Sequence, residues 1–219
     1  MNEALLNNYA GAFDGHLKPG GKAALLIVDV VLAYLDPNSP LYSATAEAAL
    51  ASNERLLAAA READLPAVFT NVEYQAGGAD GGLFYRKVPS LKLFLAGSPF
   101  GAFPPTLQPT TNDIIVTKQY ASAFFGTSLA STLRAWGIDT LFVTGFSTSG
   151  CVRASAMDAL QHGFVPFVVR EACADRHPGP HEQNLFDLHA KYAEVIHEAE
   201  ALDLIGAYRC GPGGGLTYV

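Results

Sequence analysis

The run Ala23-Ala24-Leu25-Leu26-Ile27-Val28-Asp29-Val30 is apolar at every position but Asp29. A strand with one wet face alternates apolar and polar side chains. An unbroken apolar run instead marks a strand buried on both faces, the situation inside a parallel sheet covered by helices. Comparable runs recur at Ala67–Val72, Asp113–Lys118, Thr140–Gly145 and Val165–Val169. Between them lie stretches of helical character. Ala44 to Ala63 carries Leu50, Leu56 and Leu57 among many alanines and stops at Leu65-Pro66. Ser128 to Trp136 is closed by Gly137, and Cys151 to Gln161 by Gly163. His181 to Glu194 reads as a further helix, with a last short strand at Ala193–Ile196.

Alternating strands and helices with short connections predict an α/β fold: a single-domain, three-layer α/β/α sandwich with a mainly parallel sheet. The chain of 219 residues suits one such domain, 1–219, with a flexible Gly-rich tail from about 207 to 219. The stretch from Glu73 to Asn112, rich in Gly and Pro, reads as irregular, and a segment of that length is usually functional or an interface arm.

Hydrophobic residues make up 49% and charged residues 16%, which fits a large core and excludes a disordered chain. A net charge of -7 argues against a nucleic-acid partner, because phosphate binding needs a basic surface. No apolar run reaches the roughly 20 residues of a membrane helix. The start, MNEALLNNYAGAFDG, lacks a basic region followed by an apolar core, so no secretory signal is expected. Three cysteines, Cys151, Cys173 and Cys210, form no even, closely spaced framework, which favours a reducing cytoplasm.

In an open parallel sheet, ligands sit beyond the carboxyl ends of the strands. Asp29 closes the first strand, Lys118 the third, and Cys151 follows the fourth after the turn Gly145-Phe146-Ser147-Thr148-Ser149-Gly150. If those strands are neighbours, the three side chains converge. A thiol at a helix N-terminus feels the positive end of the macrodipole, and a nearby ammonium depresses its pKa. Small residues in the turn let backbone N–H groups point at one spot, as an oxyanion hole requires. Each residue also has a plainer reading: a capping Asp, a solvated Lys, a core Cys. Pattern alone leaves both readings open.

The segments LLIVDVVLAYLDPNSPLY, VTKQYASAFFGTSL and VTGFSTSGCVRASAMDALQHGF resemble the three signature regions of the isochorismatase-like cysteine hydrolases. The similarity runs from Ala23 to about Ile196. It implies catalytic Asp29, Lys118 and Cys151, a cis peptide bond at Phe146–Ser147, and an oxyanion hole from the Ser147 and Cys151 backbone N–H groups. Isochorismatases that cleave a vinyl ether lack the cysteine. The metal-binding members carry Asp-x-His after the second strand, where this chain reads Asn71-Val72-Glu73-Tyr74, so neither metal nor cofactor is expected. His177, His181 and Glu182 lie close together, but Pro178 and Pro180 predict a loop there, not a helix presenting two ligands.

The stretches Gly81–Pro89 and Arg170–Arg176 are most similar to the subgroup of N-carbamoylsarcosine- and maleamate-type amidohydrolases. That likeness implies that Arg176 binds a substrate carboxylate, a role suited to a guanidinium because it grips with two parallel hydrogen bonds. The plainer alternative is Arg176 paired with Asp175 or Glu171. Tyr34, Phe84, Tyr120 and Phe125 are candidate pocket walls. The expected activity is cysteine-dependent release of ammonia from a small carboxylate-bearing amide or ureido compound. Two alternatives stand beside it: a hydrolase of neutral ureido compounds such as biuret, and a non-catalytic binding module. A homo-oligomer, dimer or tetramer, is expected from the family and from the apolar Phe94, Leu95, Phe100 and Phe103.

Overall fold

The computed structural model describes residues 7–209. Six strands, β1 (Ala23–Val28), β2 (Ala67–Val72), β3 (Ile114–Lys118), β4 (Thr140–Phe146), β5 (Val165–Ala174) and β6 (Glu194–Ile196), form one sheet in the order β3-β2-β1-β4-β5-β6. Every pairing is parallel. The helices are α1 (Ala46–Glu62), α2 (Gly82–Lys87), α3 (Leu129–Ala135), α4 (Arg153–Gln161), α5 (Pro178–Lys191) and α6 (Glu198–Tyr208).

The period of a strand sorts the core into two layers. Ala23, Leu25 and Ile27 of β1 face α1 and α6, with Leu56, Ala60, Ala201 and Ile205. Ala24, Leu26 and Val28 face the opposite way, onto Leu133 of α3, Ala156 of α4 and Leu188 of α5. Both faces of β1 and β4 are therefore dry, and every residue of those strands is buried. The edge strand β3 alternates partly buried and exposed positions until Lys118. Among the described residues no helix is long and apolar enough to cross a membrane.

Several elements differ from the sequence reading. Residues 73–112 are not irregular throughout. They hold α2 and three 3₁₀ turns, and Leu91 and Phe94 join Val31, Ala33, Val72 and Tyr74 in a third apolar cluster. Leu95, Phe100 and Phe103 pack against that cluster, so these apolar groups are engaged within the chain itself. Elements this short carry too few turns for periodicity to reveal them. The segment Arg170–Ala174 belongs to β5 and does not follow it. α5 begins at Pro178, where a loop was expected: both prolines fall in the first turn, whose N–H groups have no helical acceptor anyway. α6 was not anticipated, and it carries Ala207 and Tyr208 in helix where a tail was expected. The rest of that tail, from Cys210, lies outside the described residues.

Two features aim the chain toward one rim. Gly145 has φ +112 and a Cβ there would stand 1.9 Å from the Val28 carbonyl oxygen, so only glycine lets β4 approach β1 just before Asp29. In β5 the register jumps: Val143 pairs with Val168 but Gly145 pairs with Cys173. That bulge brings Asp175 and Arg176 level with the end of β4.

Candidate active site

Asp29 follows β1 and Lys118 ends β3, yet these strands are not adjacent, because β2 lies between them. Strands stand about 4.8 Å apart, so the gap is about 10 Å. The four-carbon stem of Lys118 spans it. Its Nζ donates to Asp29 Oδ2 at 2.7 Å, to the Tyr120 carbonyl at 3.0 Å and to Cys151 Sγ at 3.5 Å. An ammonium has three protons, and all three have acceptors. Relative exposure is 0% for Lys118, 1% for Asp29 and 8% for Cys151. A solvated lysine and a surface cap are thereby set aside.

Thr70 on β2 completes the support. Its hydroxyl donates to Asp29 Oδ1 at 2.6 Å and accepts the Asp29 N–H at 3.1 Å. Sequence reasoning missed it, since a Thr inside a strand looks like any β-former. Asp29 itself holds a left-handed φ of +50.

Electrostatics revises the expected state of the sulfur. Burial is the largest influence on Cys151; Lys118 pulls its pKa down, Asp29 pushes it up, and the net result is about 12. The resting group is thus a thiol beside a carboxylate, not a preformed thiolate. Burial opposes the charge on Lys118, but Asp29 and Cys151 outweigh it, and the ammonium titrates above the ordinary lysine value. A direct check compares the thiolate ultraviolet absorbance of the native chain with that of Cys151→Ala. The difference is expected to stay near zero from neutral pH through the ordinary thiol value of 9.0. In Asp29→Asn the step moves to lower pH, because Lys118 then acts without the carboxylate. A native thiolate step below 9.0 would contradict the assignment.

The Phe146–Ser147 peptide bond is cis. After Ser147 the chain forms a π-helical turn, Thr148–Val152, that leads into α4, so helical conformation starts three residues before Cys151 and not at it. The Ser147 carbonyl accepts the N–H groups of Gly150 and Val152, at 3.0 and 3.2 Å. The Ser149 N–H goes to Asp175 Oδ2 at 2.7 Å, and Thr148 Oγ1 lies 2.8 Å from His181 Nδ1.

Of the anticipated pocket walls, Tyr34 stands close to Cys151 and Asp29: burial, then the charges of those two groups, push its hydroxyl well above the ordinary value. The same causes raise Tyr74, a neighbour the sequence did not single out. Tyr120 supplies the carbonyl to Lys118, and its ring stands 6.4 Å from that of Phe84 and 4.9 Å from that of Phe125. Phe84 and Phe125 thus join the site through Tyr120, and Phe125 is 59% exposed.

Arg176 is exposed. Its backbone N–H donates to Asp175 Oδ1 at 2.8 Å. Neither proposed surface partner takes its guanidinium: Asp175 serves backbone N–H groups, and Glu171 accepts from the Glu198 N–H and lies 2.6 Å from His197 Nδ1.

His177, His181 and Glu182, close in sequence, each have a separate partner. His177 Nδ1 accepts the Gly179 N–H, His181 serves Thr148, and Glu182 pairs with Arg170. Asn71 accepts the Thr117 hydroxyl at 2.8 Å. Among the described residues no three His, Cys, Asp or Glu side chains are grouped to hold a metal. A concavity of about 490 Å³ lined by Arg55, Arg170, Cys173, His181 and His197, among others, includes none of Asp29, Lys118 and Cys151.

Comparison with known proteins agrees with this architecture. Residues 23–200 match the isochorismatase domain. Maleamate amidohydrolase of Pseudomonas putida is 46% identical over 197 residues, 90% of this chain and 92% of that protein. N-carbamoylsarcosine amidase of Arthrobacter sp. is 34% identical over 181 residues, 80% of this chain and 68% of that protein. The crystal structure of a cysteine hydrolase from Pseudomonas syringae superposes with a TM-score of 0.83 at 22% identity, covering 89% of this chain and 99% of that one, and shares the fold. With a domain match over most of its length and relatives of this identity, the chain belongs to the isochorismatase family of hydrolases.

Proposed function

We propose that this chain is a cysteine-dependent amidohydrolase that releases ammonia from a small primary amide carrying a carboxylate, of the maleamate type. One observation carries the reading: a buried thiol shares a single ammonium with a buried carboxylate. The likeness to maleamate amidohydrolase, 46% over nearly the full length of both chains, supports the choice of substrate class.

In this mechanism Cys151 attacks the amide carbonyl as its proton passes to Asp29. With the thiol held near 12, the sulfur loses its proton only as the new bond forms, so Asp29 works as a general base and not as the counterion of a standing thiolate. The oxyanion is met by the Ser147 and Cys151 N–H groups. Asp29 returns the proton to the departing nitrogen, which leaves as ammonia with formation of a thioester. Water, deprotonated by the same carboxylate, then cleaves the thioester and restores the thiol. Lys118 remains protonated throughout and keeps Asp29 oriented.

Arg176 is the proposed clamp for the substrate carboxylate, while Tyr34, Phe84, Tyr120 and Phe125 bound the pocket. The test is ammonia release over maleamate, N-carbamoylsarcosine, biuret and nicotinamide, with native chain and Arg176→Ala. Losing a bidentate charged contact costs about 1.5–3 kcal/mol, so KM for the acidic amides rises on the order of 10- to 100-fold. Neutral amides are affected little. Equal losses on both classes, or a native preference for biuret, would replace this reading with that of a neutral ureido hydrolase.

A further inference from the structure

We infer that the Asp175 carboxylate is a positioning residue: it clamps the turn that carries Cys151 and, with its other oxygen, fixes the start of the segment that carries Arg176. The inference rests on the amidohydrolase reading above and adds to it the group that sets the distance between nucleophile and substrate clamp.

Asp175 is buried, and a buried carboxylate is unfavourable unless its oxygens are satisfied. Both are satisfied by backbone and neither by a cation. Oδ2 accepts the Ser149 N–H at 2.7 Å and Oδ1 accepts the Arg176 N–H at 2.8 Å. The N–H groups of a first helical turn have no acceptor within the helix. In this turn Gly150 and Val152 reach back to the Ser147 carbonyl, and Ser149 relies on Asp175.

The clamp is itself anchored. The Asp175 carbonyl accepts the hydroxyls of Ser43 at 2.8 Å and Thr45 at 3.2 Å, which ties the residue to the entry of α1. The bulge in β5 sets its height, since Phe146 is level with Ala174. The carboxylate is also near enough for its charge to act on Tyr34. The His181–Thr148 contact tethers the same turn from α5, so losing Asp175 loosens the turn without releasing it.

The test uses Asp175→Ala, Asp175→Asn and Asp175→Glu in the full chain, with kcat and KM for maleamate and hydrogen exchange at the Ser149 amide. A displacement on the order of 1 Å costs about 100-fold, so Asp175→Ala loses about that much kcat while KM changes less than about tenfold. Its Ser149 amide exchanges quickly. Asn keeps one acceptor oxygen, which takes the Ser149 N–H, while its amide nitrogen cannot accept the Arg176 N–H: kcat returns to within about tenfold of native and Ser149 exchange is slow again, but KM stays near that of the alanine variant. Glu keeps the charge but moves the oxygen by one methylene, so it performs worse than Asn. Slow Ser149 exchange in Asp175→Ala, or native kcat in that variant, overturns the inference. So does Glu outperforming Asn, a comparison that decides the matter even if the alanine variant does not fold. If the native chain releases ammonia from no amide in the panel, the proposed reaction fails, and Ser149 exchange alone then decides whether the clamp exists.

Discussion

Alanine at position 151 is expected to leave a folded chain that releases no ammonia. Cys151 lies at the edge of the apolar cluster shared with Val152, Ala156 and Leu185, so removing one sulfur takes away little buried volume. The cost to stability is about 1 kcal/mol, small beside the 5–15 kcal/mol of a typical domain. The cost to turnover is of another order. The one other hydroxyl bonded to Asp29 among the described residues, that of Thr70, is a far weaker nucleophile than a thiol, and removing the nucleophile from such a unit costs on the order of 10⁶ in kcat. Serine should not rescue it, because a hydroxyl is a far weaker acid than a thiol and Asp29 is poised against a thiol. The measurement is ammonia release on the substrate panel, with near-ultraviolet circular dichroism to confirm the fold. Turnover within about 100-fold of native in Cys151→Ala would remove this cysteine from the mechanism.

The second large effect falls on stability as well as activity. Lys118→Ala is expected to destabilise the chain by about 3–5 kcal/mol, because it leaves the Asp29 carboxylate buried without the ammonium that pairs with it, and with only the neutral Thr70 hydroxyl and Cys151 thiol beside it. Asp29→Asn removes the opposite member and strands a buried ammonium, with a similar penalty. The double variant Asp29→Leu/Lys118→Met tells the two consequences apart. An apolar pair of similar volume replaces a buried ion pair at little net cost, so most of the lost stability returns while activity does not. Urea unfolding midpoints read the first quantity and ammonia release the second. If Lys118→Ala unfolds at the native urea concentration, the pair is not the buried, coupled unit described above. If the double variant stays as unstable as Lys118→Ala, packing and not charge governs the site.

Much of the fold was legible because burial on two faces writes itself into a run of residues. β1 and β4 have every position apolar or buried, and both were visible at once. The short pieces between β2 and β3 were not, since α2 has six residues and its 3₁₀ neighbours three to six, at most two turns each. Asp29, Lys118 and Cys151 were visible as side chains at or just beyond strand ends. Thr70, Tyr74 and Asp175 were not singled out as parts of the site, although Asp175 is as central to the Cys151 turn as any residue. A hydroxyl in a strand, a tyrosine beyond one and an acid beside an arginine have ordinary roles in most chains. Only their partners give them another.

The sequence by itself determined the succession of strands and helices, the two-faced burial of the central strands, and the identity of the thiol, carboxylate and ammonium at their ends. Those properties follow from interactions among near neighbours along the chain. Only the tertiary structure decided that β2 separates β1 from β3, that Lys118 reaches over it, and that burial and Asp29 outweigh the ammonium to keep Cys151 a thiol. Strand order and the field at a buried atom arise from groups distant in sequence and a few ångströms apart in space. No local pattern records those distances.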